Sequence, residues 1–355
     1  MKRIFLAAAI GLVGCGGSGG GSTSPDMAMA GGGDVTMVDP AGTITKYVAN
    51  SLLVPLQKTD YAIDLNGDTH PDNQLGNIIG ALASAGNLDV QGSIDKSVAA
   101  GDVVLLLSLQ AKDMTSADNV GVTIYLGMKQ AMPDFKSGMG MFTIDASQMP
   151  AAFLGRIAGG KFASNNPVTT THPVTMVLKL PLIEGVDPLV LKVNGAQVQF
   201  QTGATLMNGQ IHGSIKKADI DGSIIPAVAS LLSNKLAKDG CTAGGGGDGG
   251  VAAGDGGAAM CPATDMTIIS LFDVGNCTNP VCDPMMMTPR CGMMAKAGDG
   301  VIDVCEVQNN NLVGGLLAPD IQVFDAMGNY KPNPANTTKD SLSLGLGFTA
   351  VGAKF

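Results

Sequence analysis

The chain ends in SLSLGLGFTAVGAKF, where Leu342, Leu344, Leu346 and Phe348 alternate with Ser, Gly and Thr. A strict period of two places all four apolar side chains on one face of a strand. The same chemistry recurs upstream. Asp102 to Gln110 (DVVLLLSLQ), Val120 to Gly127 (VGVTIYLG) and Val174 to Leu182 (VTMVLKLPL) are rich in strand formers, and Pro181 marks the last as an edge or an end. In LVLKVNGAQVQFQ, Asn194-Gly195 supplies the positive φ values of a tight turn, which predicts a hairpin. ATLMNGQIHG repeats the device at Asn208-Gly209. Three segments carry helical spacing instead: Thr43 to Leu53, Asn73 to Ala85, and Ile225 to Lys238, the last stopped by Gly240. Hairpins in series with few helices predict a β-rich α+β fold, an antiparallel β-sandwich or meander with a few packed helices.

The opening, MKRIFLAAAIGLVGC, has a basic head in Lys2 and Arg3 and an apolar run from Ile4 to Val13. That run is too short to span a bilayer and has the layout of a signal peptide. Leu12-Val13-Gly14-Cys15 resembles a bacterial lipobox. The resemblance implies a signal peptide over 1–14, lipidation at Cys15, and export to the outer membrane or cell surface as a membrane-anchored lipoprotein. Residues 15–40 are rich in Gly and Ser and read as a flexible tether, and its stretch GGSGGGSTSPDMAMAGGGD alone has a reach of roughly 25 Å. Gly16-Gly17-Ser18-Gly19-Gly20 inside it imitates a serine-hydrolase elbow but lacks the strand and helix that such an elbow needs.

A net charge of −9 argues against nucleic acid and against anionic lipid surfaces as partners, and it suits divalent cations. Of seven cysteines, six fall in one stretch: Cys241, Cys261, Cys277, Cys282, Cys291 and Cys305. An even cluster in an exported chain predicts disulfides whose pairing the spacing leaves open. The expected organisation is a main β-rich domain over 41–240, a Gly- and Cys-rich, disulfide-stapled segment over 241–310, and a C-terminal strand region over 311–355 that returns to the main sheet.

The stretch DLNGDTHPDN carries the clearest chemistry. Asp64, Asn66 and Asp68 occupy positions 1, 3 and 5 of a calcium loop, His70 stands at position 7 as a backbone carbonyl, and Asp72 at position 9. The pattern resembles EF-hand, dockerin and thrombospondin type 3 loops, which implies calcium as the cofactor. It departs from the EF-hand at Thr69, where glycine is usual, and at Leu75, where a bidentate Glu is usual. The competing account is a turn followed by a helix cap. A second, weaker candidate is a split EF-hand-like loop formed by Asp273, Asp299, Asp303 and Glu306.

Other features carry less. CDPMMMTPRCGMM offers soft ligands that suit Cu(I). Gly345-x-Gly347-x-x-Ala350 imitates a dinucleotide fingerprint without the strand-to-helix turn that motif requires. The three histidines, His70, His172 and His212, are scattered, His212 reads as a solvent-facing strand residue, and no catalytic group assembles around them. The expectation is therefore a lipid-anchored envelope protein with structural calcium and a binding or structural role toward a glycan, protein or lipid, leaning away from enzyme. A secreted glycan hydrolase and an outer-membrane β-barrel component are the alternatives.

Overall fold

The computed structural model describes residues 37–86, 89–136, 138–167, 173–181, 188–241, 263–273, 301–310 and 316–355. Nine antiparallel strands form one sheet: β1 (Thr43–Leu53), β2 (Leu105–Ala111), β3 (Ala117–Leu126), β4 (Ala151–Ala158), β5 (Lys161–Ser164), β6 (Thr175–Leu180), β7 (Leu189–Gln201), β8 (Thr205–Lys216) and β9 (Ser341–Gly352). Their spatial order is β5-β4-β3-β2-β1-β9-β8-β7-β6, and β5 also pairs with β7. That last pairing closes eight strands into a barrel and leaves β6 as a flap on β7. The expected sandwich or meander is thus replaced by a closed antiparallel barrel, which removes two open sheet edges. Of the cysteines expected to staple the 241–310 segment, only Cys241 and Cys305 lie among the described residues, both buried. The other four of these cysteines lie outside the described residues.

Three local expectations change with it. Thr43 to Leu53 is a strand rather than a helix. A register shift between Ala49 and Ser51 turns both Ala49 and Leu52 toward the core. Val48 is buried on the other face, under a separate apolar cluster. The bulge and the two buried faces together imitate a helical period. Both expected hairpins are long continuous strands, β7 and β8. The backbone at Gly195 (φ +58°) and Asn208 (φ +48°) is left-handed as predicted, but it serves bulges between Asn194 and Gln197 and between Leu206 and Gly209. Such bulges add the local twist that a closing sheet needs.

The inner face explains the alternation. Tyr47, Leu107, Leu109, Val122, Phe153, Phe162, Val198, Phe200 and Phe348 fill the barrel in one apolar core. Phe162 stacks on Phe200 at 5.0 Å between centroids, and Phe200 meets Phe348 edge-on at 6.2 Å. Gly209 makes room for this, since a Cβ there would lie 2.5 Å from the Phe348 ring. Each buried aromatic contributes about 2–3 kcal/mol. The outer face is mixed: Lys46, Ser108, Gln110, Thr123, Arg156, Gln199, Gln210 and Ser343 alternate with the core residues along their strands, while Val48 and Leu106 carry a small second apolar cluster covered by Phe142.

Helices α1 (Gln74–Gly86) and α2 (Val90–Ala99) lie between β1 and β2 in sequence. Leu75, Ile78 and Ile79 of α1 and Val90, Ile94 and Val98 of α2 join the main core. After β8, α3 (Lys217–Asp219) and a π-helical turn (Ile220–Ile224) lead into α4 (Ile225–Lys238). Pro226 sits in the first turn of α4, and Gly240, at φ +76°, ends it as expected. Lys235 of α4 bonds Asp265 at 2.6 Å and Asp239 at 2.7 Å, docking α5 (Ala263–Phe272) on α4. Ser233 exchanges two 2.8 Å hydrogen bonds with the backbone of Ile302, just before α6 (Val304–Asn309).

Candidate metal centre on the barrel wall

The outer face of β9 carries Ser341, Ser343, Gly345 and Gly347. β1 pairs with β9 only as far as Gly347. Beyond that rung a side chain takes over the ladder. Asn73 accepts from Gly345 N–H at 3.0 Å and donates to the Gly345 carbonyl at 3.1 Å. It also donates to the Asp60 carbonyl at 2.6 Å. The Tyr61 carbonyl and ring lie where Cβ atoms of Gly345 and Gly347 would be. The two glycines thus form a track in which the loop seats. They do not cradle a nucleotide.

On this track stands the loop 64–72. An isolated bridge between Ile63 and Asp72 closes its base, with Asp72 N–H donating to the Ile63 carbonyl at 2.7 Å. Asp64 accepts from Gly67 N–H at 2.6 Å, Asp68 N–H at 3.2 Å and Thr69 N–H at 2.8 Å. Asn66 is buried, accepts from Asp68 N–H at 3.0 Å and donates to the Asp68 carboxylate at 3.2 Å. Asp72 is buried and accepts from Leu65 N–H at 3.0 Å. Carboxylate oxygens of Asp64, Asp68 and Asp72 all lie within 4.8 Å of one another. Among the described residues this is the one group of three or more potential metal-ligating acids or histidines. The His70 ring is exposed and bonds back to the Asp68 carbonyl at 3.0 Å.

Electrostatics sharpen the picture. Burial, the largest cause, raises the Asp72 carboxyl to about 7, against the pull of the Leu65 N–H. The charges of Asp320, Asp68 and Asp64 add to the rise. Asp320 is itself raised, chiefly by burial, and accepts from Ser343 N–H at 2.7 Å and Ser343 O–H at 2.6 Å. Sequence spacing finds Asp64, Asn66, Asp68 and Asp72 but misses Asp320. That residue enters from a segment whose Ile321 bridges Ser341 of β9.

The donor set fits a hard divalent cation: clustered carboxylate oxygens on a loop already turned by its own amides. The departures from an EF-hand are equally visible. Leu75, at the bidentate position, is buried in the main core. Thr69 adopts the left-handed conformation, φ +70°, that glycine provides in such loops. A β-branched residue is strained there. Thr69→Gly is therefore expected to stabilise the fold by about 1 kcal/mol, after the entropy cost of glycine, read as a rise of a few degrees in melting temperature. An unchanged or lower melting temperature would remove the strain argument.

The second predicted site is placed differently. Asp303 caps α6, accepting from Cys305 N–H at 2.8 Å and Glu306 N–H at 3.0 Å. Glu306 returns the bond to Asp303 N–H at 2.9 Å, completing a capping box. Asp273 is buried just past the end of α5, and Asp299 lies outside the described residues. Cys15, Cys261, Cys277, Cys282, Cys291 and His172 also lie outside them, as does the methionine-rich 282–294 stretch. His212 stands in β8 but is fully buried rather than solvent-facing, beside Gln210 at 3.1 Å and Gln199 at 3.5 Å. No helix among the described residues is long and apolar enough to cross a membrane, which says nothing of strands.

Searches with this chain find no matching protein family, curated protein or solved structure.

Proposed function

We propose that this chain is a lipid-anchored envelope protein whose barrel is a packed scaffold, with a structural calcium ion bound by the wall loop 64–72. The observation that carries the calcium reading is the convergence of Asp64, Asp68 and the buried Asp72 within 4.8 Å. Burying like charges together is costly without a counter-ion, and Asp72 shows that cost as a carboxyl raised to about 7. Asp64, Asp68 and Asp72 would supply carboxylate ligands and His70 a carbonyl. The ion's work would be to neutralise them and pin the loop on β9. The lipid anchor rests on the Cys15 motif. The role at the envelope is binding or structural, toward a glycan, protein or lipid, carried on the outer surface because the barrel interior is filled with side chains.

The side-chain distribution favours this over an outer-membrane barrel. A wall packed with apolar side chains inside, and with its outer apolar cluster at Val48 and Leu106 covered by Phe142 amid polar positions, is the inverse of one that faces lipid with an apolar band. For the glycan-hydrolase alternative, the convergent carboxylates sit in a loop tied by its own amides.

Calorimetric titration should show one calcium per chain, with a higher melting temperature in calcium than in chelator. At a hundredfold excess over Kd the gain is about 2.7 kcal/mol. Asp64→Ala and Asp68→Ala should abolish both effects. Absence of heat in the native chain, with no effect of chelator, would return the loop to a turn and cap.

A further inference from the structure

The turn that opens loop 64–72 has a near copy elsewhere in the chain. Asp64-Leu65-Asn66-Gly67-Asp68 and Asp325-Ala326-Met327-Gly328-Asn329 share Asp at the first place and Gly at the fourth. The backbone repeats as well. Gly67 and Gly328 are both left-handed, at φ +86° and +79°. In each turn the leading carboxylate accepts the N–H four residues on, from Asp68 at 3.2 Å and from Asn329 at 2.9 Å. The residue before each Asp, Ile63 or Phe324, makes an isolated antiparallel bridge. The charges differ. Met327 and Asn329 stand where the first turn has Asn66 and Asp68. Asp325 also accepts from Met327 N–H at 2.9 Å and from the Asn329 side-chain amide at 3.2 Å. The second turn thus meets its one charge with amides, whereas loop 64–72 gathers three carboxylates.

The second turn belongs to a closed loop, 320–341. Ile321 and Ser341 exchange two 3.1 Å backbone hydrogen bonds that join its ends. The Asp340 carboxylate accepts from Val323 N–H at 3.2 Å and Phe324 N–H at 3.0 Å. A loop tied by its own bonds can dock or leave as a unit. Its seat is made of four contacts. Ile321 and Val323 pack with Ile63 and Leu65, which flank Asp64. Tyr330 covers the Gly195 bulge, where a Cβ would lie 2.1 Å from its ring. Lys216 Nζ stands 4.0 Å over the Phe324 ring. Asp320 holds Ser343, one outward position along β9 from Gly345, where Asn73 is bonded. Asn73 follows Asp72, and the Asp320 charge acts on Asp72, with exposed Lys58 offsetting part of the charge. Docking therefore carries a fourth carboxylate toward three others. A divalent cation among the three cancels two of their charges and removes most of that repulsion.

We propose that cation binding at loop 64–72 clasps the closed loop 320–341 onto β9, and that Asp320 couples the two. The clasp rests on the calcium reading of loop 64–72 and adds a regulated surface to it. Release of 320–341 uncovers Ile63, Leu65 and the Gly195 bulge. The coupling is reciprocal, so the docked Asp320 charge strengthens cation binding.

The test is amide hydrogen exchange of the full chain in detergent, read by mass spectrometry in calcium and in chelator. Removing calcium is expected to speed exchange at 64–72. It should also speed exchange at 320–325 and 341–345, by about 5- to 150-fold, the usual span of such couplings. Ser343 N–H, which donates to Asp320, reports the seat directly. Strand β2 should exchange alike in both conditions. Asp320→Asn keeps an oxygen for Ser343 N–H but lacks the charge. Its 320–325 and 341–345 segments should no longer follow calcium, while 64–72 still does. A response at 64–72 with none at 320–325 and 341–345 would overturn the clasp and leave the calcium reading intact. So would a response shared equally with β2, or one that persists in Asp320→Asn. No calorimetric heat and no response at 64–72 would remove the calcium reading itself, and the clasp with it. The native chain's own pattern decides the clasp even where the variant does not fold.

Discussion

Gly345→Val is expected to leave little or no folded protein. A Cβ at this position would lie 2.0 Å from the Tyr61 carbonyl oxygen and 2.9 Å from Asn73 Nδ2. Both are fixed. Asn73 is tied to Asp60 and to both backbone groups of Gly345, and its burial is complete. Relief would require lifting the 60–73 segment off β9. That forfeits three hydrogen bonds on a buried amide and exposes Ile63 and Leu65, which pack with Ile321 and Val323. Overpacking costs about 1–3 kcal/mol, and each buried partner left unsatisfied about 1–3 more. The sum approaches the whole stability of an ordinary domain, roughly 5–15 kcal/mol. Gly222→Ala is the matched control. Nothing lies within 4 Å of its added Cβ, and its melting temperature should move little. Soluble yield and thermal melting decide the matter, and a Gly345→Val protein that melts with the native chain would show that the loop is not seated on this track.

That track shows how much of the molecule its sequence discloses. The alternation in SLSLGLGF announces a strand with one apolar face, and β9 is that strand. The reason its other face is Ser and Gly appears only when Tyr61 and Asn73 are found lying against it. Asn-Gly at 194–195 and 208–209 correctly announces left-handed backbone. Whether such a step reverses a chain or bulges it depends on the neighbouring strand, here β8 for one and β9 for the other. Barrel closure is likewise invisible locally, because it rests on three rungs between β5 and β7, Phe162 opposite Phe200 among them. The acidic loop is legible because its residues are consecutive. Its electrostatic setting is not, because Asp320 arrives from far along the chain. Asp303 and Glu306 illustrate the converse. Asp-x-x-Glu before an apolar pattern is the signature of a capping box, and a helix cap is what they build.

His212 should make the fold sensitive to acid, and Asp72 should mask part of that sensitivity. His212 is fully buried, and burial, aided by the Lys161 charge, lowers its imidazole to about 3 from 6.5. Below pH 6.5 the unfolded chain takes up a proton at this position that the folded chain refuses until about pH 3. Stability from this group is therefore complete above pH 6.5 and is lost as pH falls through that window, at about 1.4 kcal/mol per pH unit. The total is roughly 4–5 kcal/mol. Asp72 runs the other way. Its folded carboxyl takes a proton near pH 7 and its unfolded one near 3.8, so folding gains stability as pH falls between those values. In chelator the two slopes nearly cancel from pH 6.5 to 4, and below that range only the His212 loss remains. His212→Gln removes one branch. Its stability should rise as the solution is acidified from pH 7 to 4 and should show no histidine-linked loss below. Denaturant midpoints of the two proteins, taken across this range, measure the difference directly. Parallel curves would mean that the imidazole titrates alike in the folded and unfolded chain, and that it is not buried against the Tyr61 backbone.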